Sequence, residues 1–380
     1  MNYVQTPAAL ERAVRSIAES DWAAVDCEAD SLHHYIEKLC LVQASIPGED
    51  FVIDPLAGLD LLPLVRVFAA KPLVLHGADF DLRILKRFYG VVPQNIFDTM
   101  IAAQLLGYEK QGLADLAFRH CGVLLPKSAQ KADWSQRPLD GKLLAYAAND
   151  THYLKVIRSV MEKELEALGR LEWLRQCCER LVKSIAQSKE KPEPDRQWQI
   201  KGSKALKGKA LTILKALWDW REEEARRRDR PSFKVMNSET LVEIAQWIHD
   251  KPEADAASMP KAPRNLKGEH REAINRVVAA ARHSPPVEWA APAARARAGS
   301  EGRKNKLFLA LKSDREALAK ELKIQPSLLA TNAVLEMIIS ESPRDPAALA
   351  RLGCLMPWQL DLVGGRFLKA IHAPHQENMI

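Results

Sequence analysis

The feature that most constrains this chain is a change of period partway along it. The first third alternates short β-type runs with helical stretches. Asp21–Asp26 (DWAAVD), Leu39–Ala44 (LCLVQA) and Asp50–Asp54 (DFVID) predict a meander of three strands. A helical stretch near Leu59–Ala70, a strand over Pro72–His76 and a helix over Asp79–Tyr89 follow, the last stopped by Gly90 with Pro93 beyond it. Asn95–Thr99 reads as one more short strand, and helical segments continue to Cys121. Gly122–Leu139 reads as a loop, and a single long helix is predicted from about Asp140 to Leu168. Such an order predicts an α/β domain, a mixed sheet flanked by helices.

Past Leu168 only helical spacing remains, so the rest of the chain is predicted to be all-α. Gln187–Gln197 (QSKEKPEPDRQ) is a polar, proline-bearing linker, and Ser284–Gly302, rich in Pro, Ala and Arg, is a second. These breaks predict a first domain over 1–185, a linker over 186–204, a helical domain over 205–285, a linker over 286–302 and a second helical domain over 303–376.

Charge is uneven along this arrangement. Residues 1–180 sum to −4, residues 181–310 to +10, from 27 Lys and Arg against 17 Asp and Glu, and the remainder to zero. A basic middle suggests a polyanionic partner, although solvated helix faces produce the same excess. No run of about 18 uncharged apolar residues is present, so no transmembrane helix and no membrane partner is expected. The polar start, Met1–Asp21, lacks an apolar signal core. The six cysteines form no CxxC pair and are expected to be reduced thiols, which suits a cytoplasmic protein.

Three short stretches carry the candidate chemistry. Asp26 and Glu28 stand at the end of the first strand, where period two points both to one face. Two like charges side by side are unfavourable unless a cation sits between them, though a strand end turning polar gives the same pair. On the long predicted helix, Leu143, Ala147, Leu154, Ile157 and Met161 form an apolar stripe, and Asp150 occupies a stripe position. An unpaired buried carboxylate is costly there, so Asp150 is a candidate functional group or a buried partner of Tyr146, one turn earlier. Asp81 lies in the first turn of the helix Asp79–Tyr89, on its inward side, with Asp79 read as the N-cap. Asp26, Glu28, Asp81 and Asp150 can then reach one cation at the end of the sheet. Oxygen ligands without Cys or His favour Mg2+ or Mn2+ over zinc.

The pattern Asp-x-Glu, then HGADFDL, then Tyr-x-x-x-Asp in YAANDTHYL resembles the DEDD exonuclease superfamily, tyrosine branch. FDTMIAAQLLG, GLADLA and DWSQRPLDGKLLAYAAND are similar to segments of the ribonuclease D family. LWDWREEEARRRDRPSFKVMNSETLVEIA resembles an HRDC module, and LAKELKIQPSLLAT with MPWQLDLVGGRFLKAI resembles the extra helical domain that ends bacterial members. Cys27 stands where relatives usually carry Thr and is expected to face away from the site. The resemblance implies a ribonuclease H-like exonuclease domain followed by two all-α HRDC-like domains. It implies that Asp26, Glu28, Asp81 and Asp150 hold two divalent metal ions, Mg2+ or Mn2+. Tyr146 would orient the attacking water, and 5′-mononucleotides would leave from the 3′ end of RNA. The implied substrates are tRNA precursors and other small structured RNAs.

Lys201, Lys204, Lys207 and Lys209, together with Arg226, Arg227, Arg228 and Arg230, are candidate contacts to RNA phosphates. No GxxxxGK[ST] is present, so no nucleotide cofactor is expected, and His76 and Asp98 read as structural. A DNA exonuclease of the same superfamily shares the site chemistry. A scaffold with a dead nuclease domain is the non-enzymatic rival, against which the complete set of five residues speaks. The oligomeric state stays open, with a monomer favoured.

Overall fold

A computed structural model describes residues 1–126, 129, 131–188, 197–288 and 301–372. They form two compact units. One holds residues 1–28, 39–188 and 301–372, and the other holds 29–38 and 197–288.

In the first unit a six-stranded sheet runs in the order β1-β4-β3-β2-β5-β6. Its strands are β1 (Asn2–Val4), β2 (Ala23–Ala29), β3 (Leu39–Ile46), β4 (Glu49–Ile53), β5 (Leu73–Leu75) and β6 (Ile96–Asp98). β3 and β4 pair antiparallel, whereas β1 with β4, β2 with β5 and β5 with β6 pair parallel, so the sheet is mixed as expected. The helices of the same stretch are α1 (Pro7–Glu19), α2 (Leu62–Ala70), α3 (Asp79–Tyr89), α4 (Thr99–Leu105), α5 (Leu113–Cys121), α6 (Gly141–His152), α7 (Leu154–Ala167) and α8 (Leu171–Gln187). β1 and α1 escape the sequence reading, although Thr6 caps α1 by accepting the Ala9 N–H, Pro7 opens it, and Leu10, Ala13 and Ile17 make its buried stripe.

The expected long helix is two. α6 ends at His152 and α7 begins at Leu154, with Tyr153 between them. The apolar stripe continues across the break because Ala147 and Leu154 both face the interior, which hides the interruption from a periodicity argument.

The chain's last helices are α14 (Glu301–Leu322), α15 (Pro326–Leu329), α16 (Asn332–Glu341), α17 (Pro346–Arg351) and α18 (Pro357–His372), after α9 (Lys209–Arg227), α10 (Ser232–Val235), α11 (Ser238–Asp250), α12 (Arg264–Lys267) and α13 (Arg271–His283) of the second unit. The sequence separates this final block, but in the structure it belongs to the nuclease unit. Leu311, Leu318, Ile338, Trp358 and Phe367 share one hydrophobic cluster with Leu116, Ile157, Met161 and Leu174. Trp173 and Trp358 stack at 4.6 Å. Buried Arg170 donates to the carbonyls of Leu105 (2.7 Å) and Leu322 (2.8 Å), closing the ends of α4 and α14 together. Gly107 adopts a φ of +75°, and a Cβ there would lie 2.0 Å from the Lys323 carbonyl oxygen, so only glycine permits this approach. Much of both predicted linkers (189–196 and 289–300) lies outside the described residues, as does the end of the last predicted domain beyond 372.

Candidate active site

Trp22, just before β2, and Ala24 within it enter the hydrophobic cluster formed with α4, α5 and α7. Strand alternation then puts Asp26 and Glu28 on that same face, at the C-terminal end of β2. α6 packs against β3 and β4 and carries Tyr146 and Asp150 one turn apart. Asp26, Glu28 and Asp150 each offer a carboxylate oxygen, and these three atoms lie within 4.8 Å of one another. Asp81 enters from the first turn of α3 and is 2 % exposed, with its Oδ1 unbonded among the described residues.

Burial and mutual repulsion dominate the electrostatics. Burial is the leading cause at each acid. It lifts Asp26 to about 7. Glu28 rises to about 10, with Asp26, Asp150 and Asp81 adding to burial, and Asp150 rises to about 8, with Asp26 adding. Asp81 is pushed well above the carboxylate range by burial and then by Asp26. Among the described residues no cationic side chain offsets these shifts. Burial, then Asp150, Glu28 and Asp26, hold the Tyr146 phenol above its ordinary value near 10. Cys27 was expected to stand apart from the site. Its buried thiol is raised by burial and then by the charges of Asp81, Asp26 and Glu28.

Neighbouring residues hold these groups in place. Asp98 is 1 % exposed and accepts N–H bonds from Gly77 (3.0 Å), Ala78 (2.8 Å), Met100 (2.8 Å) and Ile101 (3.3 Å). One carboxylate therefore caps α4 and fixes the backbone that leads into α3 and Asp81. Asp79 is not the N-cap that the sequence suggested: Ala78 occupies that position, and Asp79 pairs with Arg83 at 2.8 Å. His76 finds a local partner, with Nδ1 2.9 Å from Thr99 Oγ1. Buried Trp134 lies 6.0 Å from the Tyr146 ring, centroid to centroid. Its loop is anchored by Arg137, whose guanidinium donates to both Asp54 oxygens at 2.7 Å and to the Cys40 carbonyl at 2.9 Å. Arg137 was missed as a support because its partners, Cys40 and Asp54, lie far away in sequence.

Does the cluster suit a divalent cation? Its donor set is all carboxylate, its oxygens converge, and Asp81 keeps an unbonded buried oxygen. Each is what a hard cation needs. Ligands with raised pKa values must shed protons to bind it, and a cation supplies the missing compensation.

The candidate RNA contacts belong to the second unit, at opposite ends of α9. Lys201, Lys204 and Lys207 precede the helix and are exposed, while Lys209 donates to the Ser284 carbonyl at 2.7 Å. Arg226, Arg227, Arg228 and Arg230 cluster about 27 Å away, at 1.5 Å per helical residue. Arg227 bonds Glu224 (2.7 Å), and Arg228 bonds Glu224 and Glu269 (3.0 Å). Arg226 lies over the Tyr35 ring at 5.3 Å. That tyrosine belongs to Ala29–Lys38, the segment from the end of β2 that packs within this unit. There the Tyr35 N–H donates to Asp229 (3.1 Å) and its hydroxyl to Glu222 (3.3 Å).

Comparison with known proteins agrees with this geometry. A 3′-5′ exonuclease model matches residues 1–166, and an HRDC domain model matches residues 210–248 and 304–371. A ribonuclease D from Sphingobium indicum is 39 % identical over 234 residues, 60 % of this chain and 60 % of the relative, so the match spans about three fifths of that relative's length. A ribonuclease D from Gluconacetobacter diazotrophicus is 30 % identical over 372 residues, 96 % of this chain and 91 % of the relative. The crystal structure of Escherichia coli RNase D, described as an exoribonuclease involved in structured RNA processing, superposes with a TM-score of 0.70 at 25 % identity, covering 99 % of this chain and 100 % of that one. Together, the ordered motifs, the mixed sheet with its carboxylate cluster and the near full-length relative place this chain in the ribonuclease D family.

Proposed function

We propose that this chain is a 3′→5′ exoribonuclease that releases 5′-mononucleotides and trims the 3′ ends of tRNA precursors and other small structured RNAs in the cytoplasm. The observation that carries this reading is the convergence of three carboxylate oxygens, one each from Asp26, Glu28 and Asp150, within 4.8 Å of one another. Asp26, Glu28, Asp81 and Asp150 hold two divalent ions, Mg2+ or Mn2+. When bound, these supply the positive charge that activates the attacking water and stabilises the leaving oxygen. The scissile bond joins the terminal phosphorus to the ribose 3′-oxygen of the penultimate nucleotide. Tyr146 positions the water by hydrogen bonding, since a phenol raised above its usual range is a poor base near neutrality. We assign the exonuclease chemistry to residues 1–185 and the RNA-contacting role to the helical block over 205–285 with the linker before it, where Lys201, Lys204, Lys207, Arg226, Arg227 and Arg230 are the exposed candidates, and we read 303–376 as the second helical domain. Membership of the ribonuclease D family favours RNA over DNA.

Matched RNA and DNA oligonucleotides, labelled at the 5′ end and incubated with the purified chain and Mg2+ or Mn2+, test this reading. RNA should shorten stepwise from its 3′ end with release of 5′-monophosphates. Equal hydrolysis of DNA would overturn the substrate class, and no hydrolysis of either would overturn the enzyme.

A further inference from the structure

Asp150 sits in the last turn of α6, and the two residues after it are tied to one hairpin. Ser45 Oγ lies 2.7 Å from Thr151 Oγ1 and 2.6 Å from Asp50 Oδ1. The other Asp50 oxygen lies 2.7 Å from His152 Nδ1. Ser45 and Asp50 face each other across the β3–β4 pair, and Ser45 and Thr151 are both buried.

The donors follow from chemistry. An ionised Asp50 only accepts, so the single proton of Ser45 goes to it. Thr151 must then donate to Ser45, and His152 donates to Asp50 through Nδ1. The chain of bonds starts at Thr151 and ends at His152, so it closes on consecutive residues of one helix.

α6 stops there, with Tyr153 breaking it before α7. Helix ends fray, and repulsion among the site acids pushes Asp150 away from Asp26 and Glu28. We propose that Thr151, Ser45, Asp50 and His152 form a clamp that holds Asp150 where it can share a cation with Asp26 and Glu28. These are positioning residues: they act through Asp150, and the inference rests on the reading of Asp150 as a metal ligand.

Equilibrium Mn2+ titration of the full chain, followed by the rise in melting temperature, tests the clamp. Thr151→Val removes the hydroxyl at nearly constant shape and should weaken Mn2+ affinity roughly 10- to 100-fold, as losses behind a metal ligand typically do. Ser45→Ala breaks the same bond from the sheet side and should act alike. Thr151→Ser should restore affinity, and His152→Asn, which keeps a donor near Nδ1, should outperform His152→Ala. Single-turnover cleavage by Thr151→Val should recover at high Mn2+, which general structural damage would not allow. Wild-type affinity in both Thr151→Val and Ser45→Ala overturns the clamp while Asp150→Asn loses binding. If Asp150→Asn also titrates like the wild type, the ligand reading itself falls, and the clamp with it.

Discussion

Asp54 and Asp150 lie against the same sheet in opposite surroundings. Asp54 is 1 % exposed and receives both arms of Arg137, the Tyr3 hydroxyl at 2.8 Å and the Leu56 N–H at 3.0 Å. Burial raises its pKa, but these partners outweigh burial and hold it below the usual carboxylate value. Asp150 has other carboxylates for neighbours, and its pKa rises. The first acid is spent on structure, because its charge is neutralised within the fold. On the proposed function, the second is left for a divalent ion. Burial alone therefore does not mark a functional acid, whereas burial without a partner does.

Asp26→Asn or Asp150→Asn should abolish RNA hydrolysis by the purified chain while leaving the fold intact by circular dichroism. Near-normal hydrolysis by either variant would separate this cluster from the chemistry. Arg137→Met sharpens the other side of the comparison. It leaves Asp54 buried without its cationic partner, which should cost about 3–5 kcal/mol in urea unfolding. A loss below ~1 kcal/mol would show that Asp54 does not depend on Arg137.

Tyr146→Phe should lower turnover roughly 10- to 1000-fold, the range for one positioned polar group, with RNA affinity little changed. It should keep the wild-type rise of rate with pH. If that dependence disappears, Tyr146 is the titrating base.

The smallest effect concerns stability without metal. A carboxylate whose folded pKa exceeds its unfolded value, about 4, stabilises the fold at low pH and loses that contribution as pH rises through the folded value. The raised Asp26, Asp150 and Glu28 place the loss from about pH 4 up to and beyond neutrality. In EDTA, Asp150→Asn should therefore melt progressively higher than the wild type as pH goes from 5 to 8, by roughly a few degrees. A gap that stays constant with pH would deny the repulsion.

The sequence showed the site more readily than its supports. Period two put Asp26 and Glu28 together, and the stripe exposed Asp150 as misplaced, because both rest on local geometry. The break at Tyr153 was hidden, since apolar spacing runs through it. Asp79 opens α3 and Asp98 precedes α4, and spacing alone could not tell that only Asp98 caps its helix. The joining of the last helical block to the nuclease unit rests on Arg170 and Gly107 meeting Leu322 and Lys323, contacts that no local pattern encodes. A chain ending near Ala186 would bare the face of α8 that holds Trp173 and Leu174, so it should aggregate or melt early instead of surviving as a minimal nuclease.

On the proposed function these acids are unsatisfied because they await cations. Calorimetric titration of metal-free protein with Mn2+ at pH 7, in two buffers of different ionisation enthalpy, measures binding and proton release together. Mn2+ should bind with net release of protons from the raised carboxylates, and Asp26→Asn should lose that binding. Binding without proton release, or undiminished binding by Asp26→Asn, would contradict it.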